Sequence, residues 1–346
     1  MSLRNLSPQH MFQALALEHR PACRFAGKTR ADFRRWHQRT WPRVLATLGK
    51  FPPRVPPRPQ LLAEWEHDGL RKQRWLLDVG RHIAATLLVN FPGDLAARER
   101  RPAILCCHGH SPQGKDAVMG KPGLGDGPDG KPSAYGHVMA KAGFVTYAVD
   151  WLGFGERNDN QKPNFNNQNG QRDWCNLYYL HATMLGTTSL AFNVTHGQAA
   201  TDFVSSLPGV DGARLGVMGC SGGGTMALWL ALCDRRFRAA EIICYSDLWA
   251  YFGIRDINYC GLQVAPGLYA LVDLPDLQGL LALRPLLVDI GAYDTCFVVD
   301  NAMACYHQVE AIYQAAGAAD RLELDLFPGE HGWGGNRSLD FFRRYL

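Results

Sequence analysis

The chain of 346 residues is 47% hydrophobic and 20% charged, a balance suited to one large α/β domain with an N-terminal extension, or to two modest domains. Its net charge of +4 comes from scattered Lys and Arg, which argues against a nucleic-acid footprint; the run Arg98-Glu99-Arg100-Arg101 reads as a solvated loop. No stretch approaches the roughly 18 consecutive apolar residues of a membrane span, and the first twenty residues lack the apolar block and cleavage site of a secretory signal.

Residues from about Ser7 to Leu48 read as helical, and Phe51-Pro52-Pro53-Arg54-Val55-Pro56-Pro57 reads as an extended connector. Each proline there removes a donor and restricts its predecessor. Strand-like runs follow in hairpin order: Leu61 to Glu66, Lys72 to Asp78 and His82 to Val89, with Gly69 and Gly80 at the turns. From Ala103 the pattern changes to short apolar runs, namely 103–107, 145–149, 215–218, 240–245, 285–290 and 322–327. Helical segments separate most of them (133–141, 189–207, 225–233 and 298–316), and a short amphipathic helix over 339–346 ends the chain. Alternation of this kind predicts a mostly parallel sheet with antiparallel N-terminal strands and helices on both faces. Residues 1–60 are then a helical extension and 61–346 the α/β domain. Two stretches fit neither period: 110–136 is rich in Gly, Pro, Lys and Asp, and 153–173 is rich in Asn and Gln. Loops of that length are commonly functional, and both are expected to roof a site.

Several of the ten cysteines sit in apolar runs, and none falls in a zinc-type Cys/Cys or Cys/His spacing. Free buried thiols in a reducing cytoplasm are therefore expected, with neither a metal nor an organic cofactor.

The most specific signal is Gly219-Cys220-Ser221-Gly222-Gly223. An apolar strand precedes it and a strong helix former follows, the context in which G-x-S-x-G becomes a nucleophile elbow. Small residues flank the serine because its own backbone is strained and its neighbours crowd it. A serine hydroxyl needs a base in reach and a third group to hold that base. Downstream histidines are His307, placed mid-helix, and His331, in the turn after the last strand; His331 is the expected base. For the acid, Asp294 leaves a strand at the same sheet edge and is preferred, with Asp300, at a helix start, next. Main-chain amides of Gly222 and His110 are expected to form an oxyanion hole, with His108 serving its turn and Cys220 pointing away from the elbow tip. Trp151 and Trp333 are candidate substrate-contacting aromatics.

Taken together, His108-Gly109-His110, Asp150-Trp151-Leu152-Gly153-Phe154-Gly155-Glu156-Arg157, the elbow, Gly291 to Asp294 and His331-Gly332 resemble α/β hydrolases related to dienelactone hydrolase and the acetyl xylan esterases. The similarity spans about Leu61 to the C-terminus, and residues 1–60 look like the helical lead-in of some acetyl xylan esterase relatives. It implies an α/β-hydrolase fold and cleavage of a small carboxylic ester, for instance an acetylated sugar. Departures are clear: dienelactone hydrolases carry cysteine where Ser221 stands. The Arg-Gly-Gln and Gly-Gly-Ser-Gln-Gly signatures of the deacetylase group are missing, and Gly222 replaces the basic residue of glucuronoyl esterases. A prolyl-oligopeptidase-like peptidase and a non-catalytic binding protein of this fold are the alternatives. Neither a nucleic-acid nor a membrane partner is expected, and the sequence leaves the oligomeric state open.

Overall fold

A computed structural model describes residues 4–121, 134–159, 173–258 and 260–346. The expected roof falls largely on 122–133 and 160–172, including Asn160, Asn164, Asn166, Asn167 and Asn169, and so lies outside the described residues.

Among the described residues nine strands form one sheet in the order β1-β2-β3-β5-β4-β6-β7-β8-β9. They are β1 (Gln60–His67), β2 (Leu70–Gly80), β3 (Ile83–Pro92), β4 (Arg101–Cys107), β5 (Val145–Val149), β6 (Val210–Cys220), β7 (Phe237–Ile243), β8 (Leu286–Gly291) and β9 (Leu322–Phe327). The first three pair antiparallel and β3 meets β5 antiparallel; from β5 to β9 every pairing is parallel. The helices are α1 (Pro8–Glu18), α2 (Arg30–Ala46), α3 (Lys115–Val118), α4 (Tyr135–Lys141), α5 (Trp174–Met184), α6 (Ser189–Val204), α7 (Gly222–Cys233), α8 (Leu268–Leu271), α9 (Leu274–Gly279), α10 (Val299–Ala316) and α11 (Ser338–Tyr345).

Strand alternation divides the core in two. Ala103, Leu105 and Cys107 of β4 face one cluster, with Val194 of α6, Trp229 of α7 and Val309 of α10. Ile104 and Cys106 face the other, with Met139 of α4 and Phe342 of α11. Successive side chains of a strand point to opposite faces, so β4, apolar from Ala103 to Cys107, must be covered on both.

The long N-terminal helix expected from the sequence is two helices. Pro21 ends the first stretch, and the chain docks instead on residues 270–271 through Ala22 N to Ala270 O (3.0 Å) and Cys23 N to Leu271 O (2.6 Å). Thr29 and Asp32 then cap α2 reciprocally. Phe33, Trp36 and Val44 of α2 are buried in the same cluster as the strands. The proline connector has no regular structure, as its donors require. Helix α5 was not legible as a helix beside the Asn-rich stretch. Strand β7 stops at Ile243 because Cys244 turns the chain at φ 45°.

Order along the sheet also locates the site. From β4 the chain moves to one side as β5 and then returns to the other as β6. Loops leaving the carboxyl ends of β4 and β6 therefore diverge, opening the crevice in which open α/β sheets bind ligands.

Candidate active site

Ser221 stands between β6 and α7 with φ 60° and ψ −121°, a conformation costly for a residue with a Cβ. The surroundings hold it there. Its amide donates to Ile243 O at 2.8 Å, and its carbonyl accepts from Thr225 N at 3.1 Å. The neighbours have no room for side chains: a Cβ on Gly219 would lie 2.3 Å from Gly223 O, and one on Gly223 2.0 Å from Cys107 O. The glycine pattern is thus a packing requirement of the turn.

His331, after β9, and Asp294, after β8, meet across the same sheet edge. His331 Nδ1 lies 2.8 Å from Asp294 Oδ2. The other carboxylate oxygen accepts from the amides of Cys296 (2.7 Å) and Phe297 (3.0 Å). Burial raises the Asp294 carboxyl, but the His331 contact and these amides outweigh it and leave it below its ordinary value. An ionised Asp294 accepts from Nδ1–H and leaves Nε2 of His331 free to take a proton. Phe297 stacks on the imidazole, centroids 5.7 Å apart and planes 10° apart, which fixes the ring. His307 is exposed beside Glu310, and Asp300 is exposed in the first turn of α10.

The loop after β4 brings His110 against the elbow: a Cβ on Gly222 would be 3.5 Å from the His110 amide nitrogen. His108 is buried; its Nε2 accepts from Trp151 N at 3.0 Å and its Nδ1 is 2.8 Å from Gly109 O. Beneath it lies a group that sequence reasoning left unexplained. Asp150 is buried and accepts from Lys115 N (2.8 Å), Lys115 Nζ (2.7 Å) and Glu156 N (3.1 Å). Lys115 Nζ also reaches Glu156 at 2.7 Å, and Arg157 donates to Asp150 O at 2.8 Å. Gly155, at φ 53°, passes so close to this carboxylate that a Cβ would lie 2.4 Å from it. The Asp150 to Arg157 motif is therefore a buried ionic brace under the loop that carries His108 and His110.

Ser221, His331, His110 and Gly222 line one cleft of about 800 Å³, together with apolar Val118, Tyr135, Ile257 and Phe297. Two expectations are corrected. Trp151 is fully buried, its ring stacked 5.8 Å from that of His108, and does not line the cleft. Trp333 is also buried, with its indole N–H donating to Ser338 Oγ (2.9 Å) and Glu241 Oε1 (3.1 Å). Both are supports of the sheet edge because their rings fill core space behind the loops. Cys220 lines the cleft and contacts the Cys244 thiol. That contact and burial raise Cys244 well above an ordinary thiol, so it is neutral beside His331. Nothing in the sequence placed Cys244 there, since it lies at the end of a different strand.

The Abhydrolase family's sequence profile matches residues 2–326, nearly the whole chain. The chain belongs to that family. A curated relative from Bacillus subtilis (strain 168), named "Putative hydrolase YtaP", is 25% identical over 79% of this chain and 86% of its own length. The crystal structure of a "putative acetyl xylan esterase" from Bacteroides fragilis NCTC 9343 superposes with TM-score 0.74 at 20% identity, over 94% of this chain and 82% of that one. A glucuronoyl esterase from Solibacter usitatus gives TM-score 0.63 at 16% identity, over 90% and 93%. These likenesses show the α/β-hydrolase fold for this family member. No described helix is long and apolar enough to cross a membrane.

Proposed function

We propose that this Abhydrolase family member is a serine hydrolase of small carboxylic esters, with Ser221 as nucleophile, His331 as base and Asp294 as the group that orients it. The observation that carries the reading is the strained Ser221 elbow facing the same cleft as a histidine already paired to a buried carboxylate. A plain strand–helix turn has no need of a serine at φ 60°, where glycine carries no strain. That structural neighbours are an acetyl xylan esterase and a glucuronoyl esterase by name supports the same chemistry.

Attack by Ser221 Oγ on the ester carbonyl passes its proton to His331 Nε2, while Asp294 stabilises the imidazolium through Nδ1–H. The carbonyl oxygen, now negative, is met by the amides of Gly222, at the start of α7, and of His110, in the loop after β4. His331 then returns the proton to the leaving alcohol, and water repeats the sequence on the acyl-enzyme. The balance needs only water, and no cofactor is invoked for it. Polar Ser111, Gln113, Asn176 and Asn258 beside the apolar lining suit a small polar ester, such as an acetylated sugar. With ten free thiols, the protein fits a reducing cytoplasm.

A fluorophosphonate probe tests the reading. We expect covalent labelling of the wild type at Ser221 and none of Ser221→Ala. That variant should keep the native circular dichroism and lose about 10⁴-fold or more in kcat on p-nitrophenyl acetate. Labelling elsewhere, or activity within roughly tenfold of wild type, would remove Ser221 from its role.

A further inference from the structure

Three side chains outside the Ser221–His331–Asp294 centre converge on the wall of the cleft from three separate segments. His110 comes from the loop after β4, Cys175 from the first turn of α5, and Cys260 from the chain preceding residues 261–263. Their donor atoms, Nε2 and two Sγ, all lie within 4.8 Å of one another. His110 Nε2 is 3.5 Å from Cys175 Sγ, and Asp173 Oδ1 is 3.0 Å from the same sulfur. Both thiols are buried, although His110, Asp173 and Cys260 reach the cleft surface.

We propose that His110, Cys175 and Cys260 bind a thiophilic divalent ion of the Zn²⁺ type, with water in the fourth position. The spacing supports it: Zn–N and Zn–S bonds at a tetrahedral angle put nitrogen and sulfur about 3.6 Å apart. Two thiolates and an imidazole are the soft and borderline donors that select such an ion over Mg²⁺ or Ca²⁺. The frame is already assembled, since Gly261 N donates to Asn176 Oδ1 at 2.6 Å and ties the Cys260 segment to α5. Asp173 precedes α5 and accepts from Asn176 Nδ2 at 2.7 Å and from the Cys175 thiol at 3.0 Å, which orients that sulfur. Sequence spacing hid the site, because its donors come from three distant segments and no Cys/His motif joins them.

Binding exchanges protons for metal: both thiols deprotonate, their sulfurs bond the ion, and the protons pass to solvent. The ion fastens His110, whose main-chain amide lies beside Gly222, to α5 and the Cys260 segment. This proposal does not depend on the ester-hydrolase reading, and its test reads metal directly.

The full chain, reduced, stripped with a chelator and dialysed against micromolar Zn²⁺, should retain about one ion per chain. The Cys175→Ser/Cys260→Ser variant should retain none, and Cys244→Ser, which alters the other His/Cys cluster, should retain it. Substituted Co²⁺ should give a thiolate-to-metal charge-transfer band that the double variant lacks. Should the double variant not fold, His110→Gln is read instead; weaker Zn²⁺ binding with the cobalt band kept supports the site, and unchanged affinity overturns it. Equal zinc in wild type and double variant overturns it too, as does absence of bound zinc in the wild type. Finding Cys175 and Cys260 blocked to alkylation without metal, and freed only by reductant, would make them a disulfide and also overturn it.

Discussion

At His331 two opposing effects meet. Burial lowers the imidazole's proton affinity, yet the hydrogen bonds to Asp294 and Cys244, with the charge of Asp294, more than reverse this and hold the group above its ordinary value. A base must be neutral to accept the serine proton, so activity should rise with pH through the raised value. The acid limb of kcat/KM is therefore expected above the ordinary histidine range near about 6.5. Asp294→Asn removes the charge; kcat should fall about 10⁴-fold and the limb should move down, whereas Asp300→Asn should leave both unchanged. A limb that stays in place in Asp294→Asn would mean another group titrates. Lys115 makes a second residue-scale case. Its ammonium is buried against Asp150 and braces the loop of His108 and His110. Lys115→Met leaves Asp150 buried without its cation, which should cost about 3–5 kcal/mol in chemical denaturation. Its loss should exceed that of Arg74→Met, whose exposed ion pair with Glu156 is worth about 0–1 kcal/mol.

Strands β7, β8 and β9 carry a feature that apolar patterning could not reveal. Glu241, Asp289 and Asp325 sit inside runs that otherwise read as buried strands, and Asp289 is opposite Asp325 in the register. Asp325 is satisfied by the Asn336 amide (2.9 Å) and Asn336 Nδ2 (3.0 Å), and Glu241 by Ser338 and Trp333. Glu241 Oε2 and both carboxylate oxygens of Asp289 are buried and meet no donor among the described residues, so burial favours the protonated carboxyl there. Burial, then the neighbouring carboxylates, raise Asp289 well above its ordinary value. An acid whose affinity is raised on folding stabilises the fold at low pH, and that stabilisation is lost as pH rises through the raised value. For Glu241, raised by burial to about 7, the loss should fall around and above neutrality. Asp289→Asn supplies a permanent donor, so its Tm should decline less between pH 6 and pH 9 than that of wild type. Parallel Tm curves for the two proteins would mean that the pair is not the titrating element. Strand positions were readable here because Leu286, Leu287, Val288 and Ile290 outweigh one acid; what the acid does depends on the strands paired on either side of it.

Across the whole molecule, legibility followed the range of the interactions. The elbow turn and the parallel strands are set by residues adjacent in the chain, and the proposed Ser221, Asp294 and His331 were singled out on that local signal. The aromatic assignments failed because exposure of Trp151 and Trp333 is decided by which loops cover them. The break at Pro21 was missed because it is fixed by pairing with residues 270–271, far along the chain. The same long-range docking makes the N-terminal helices part of the main core. Trp36 is buried, donates its indole N–H to Cys23 O at 2.6 Å, and packs edge-on against Phe25 with centroids 5.0 Å apart. Helix α2 also meets α10, whose preceding turn carries Asp294. A detachable lead-in would leave the sheet stable when removed. Burial of Phe33, Trp36, Val44 and Leu48 in the strand cluster predicts the opposite. Trp36→Ala should lower stability by about 3–5 kcal/mol in urea, in a single transition shared with the rest of the chain. Deleting residues 1–48 should expose this apolar surface and give aggregated protein, not a soluble enzyme of altered selectivity. A soluble truncated chain with native circular dichroism and full fluorophosphonate labelling would show that the sheet carries the site without its N-terminal helices.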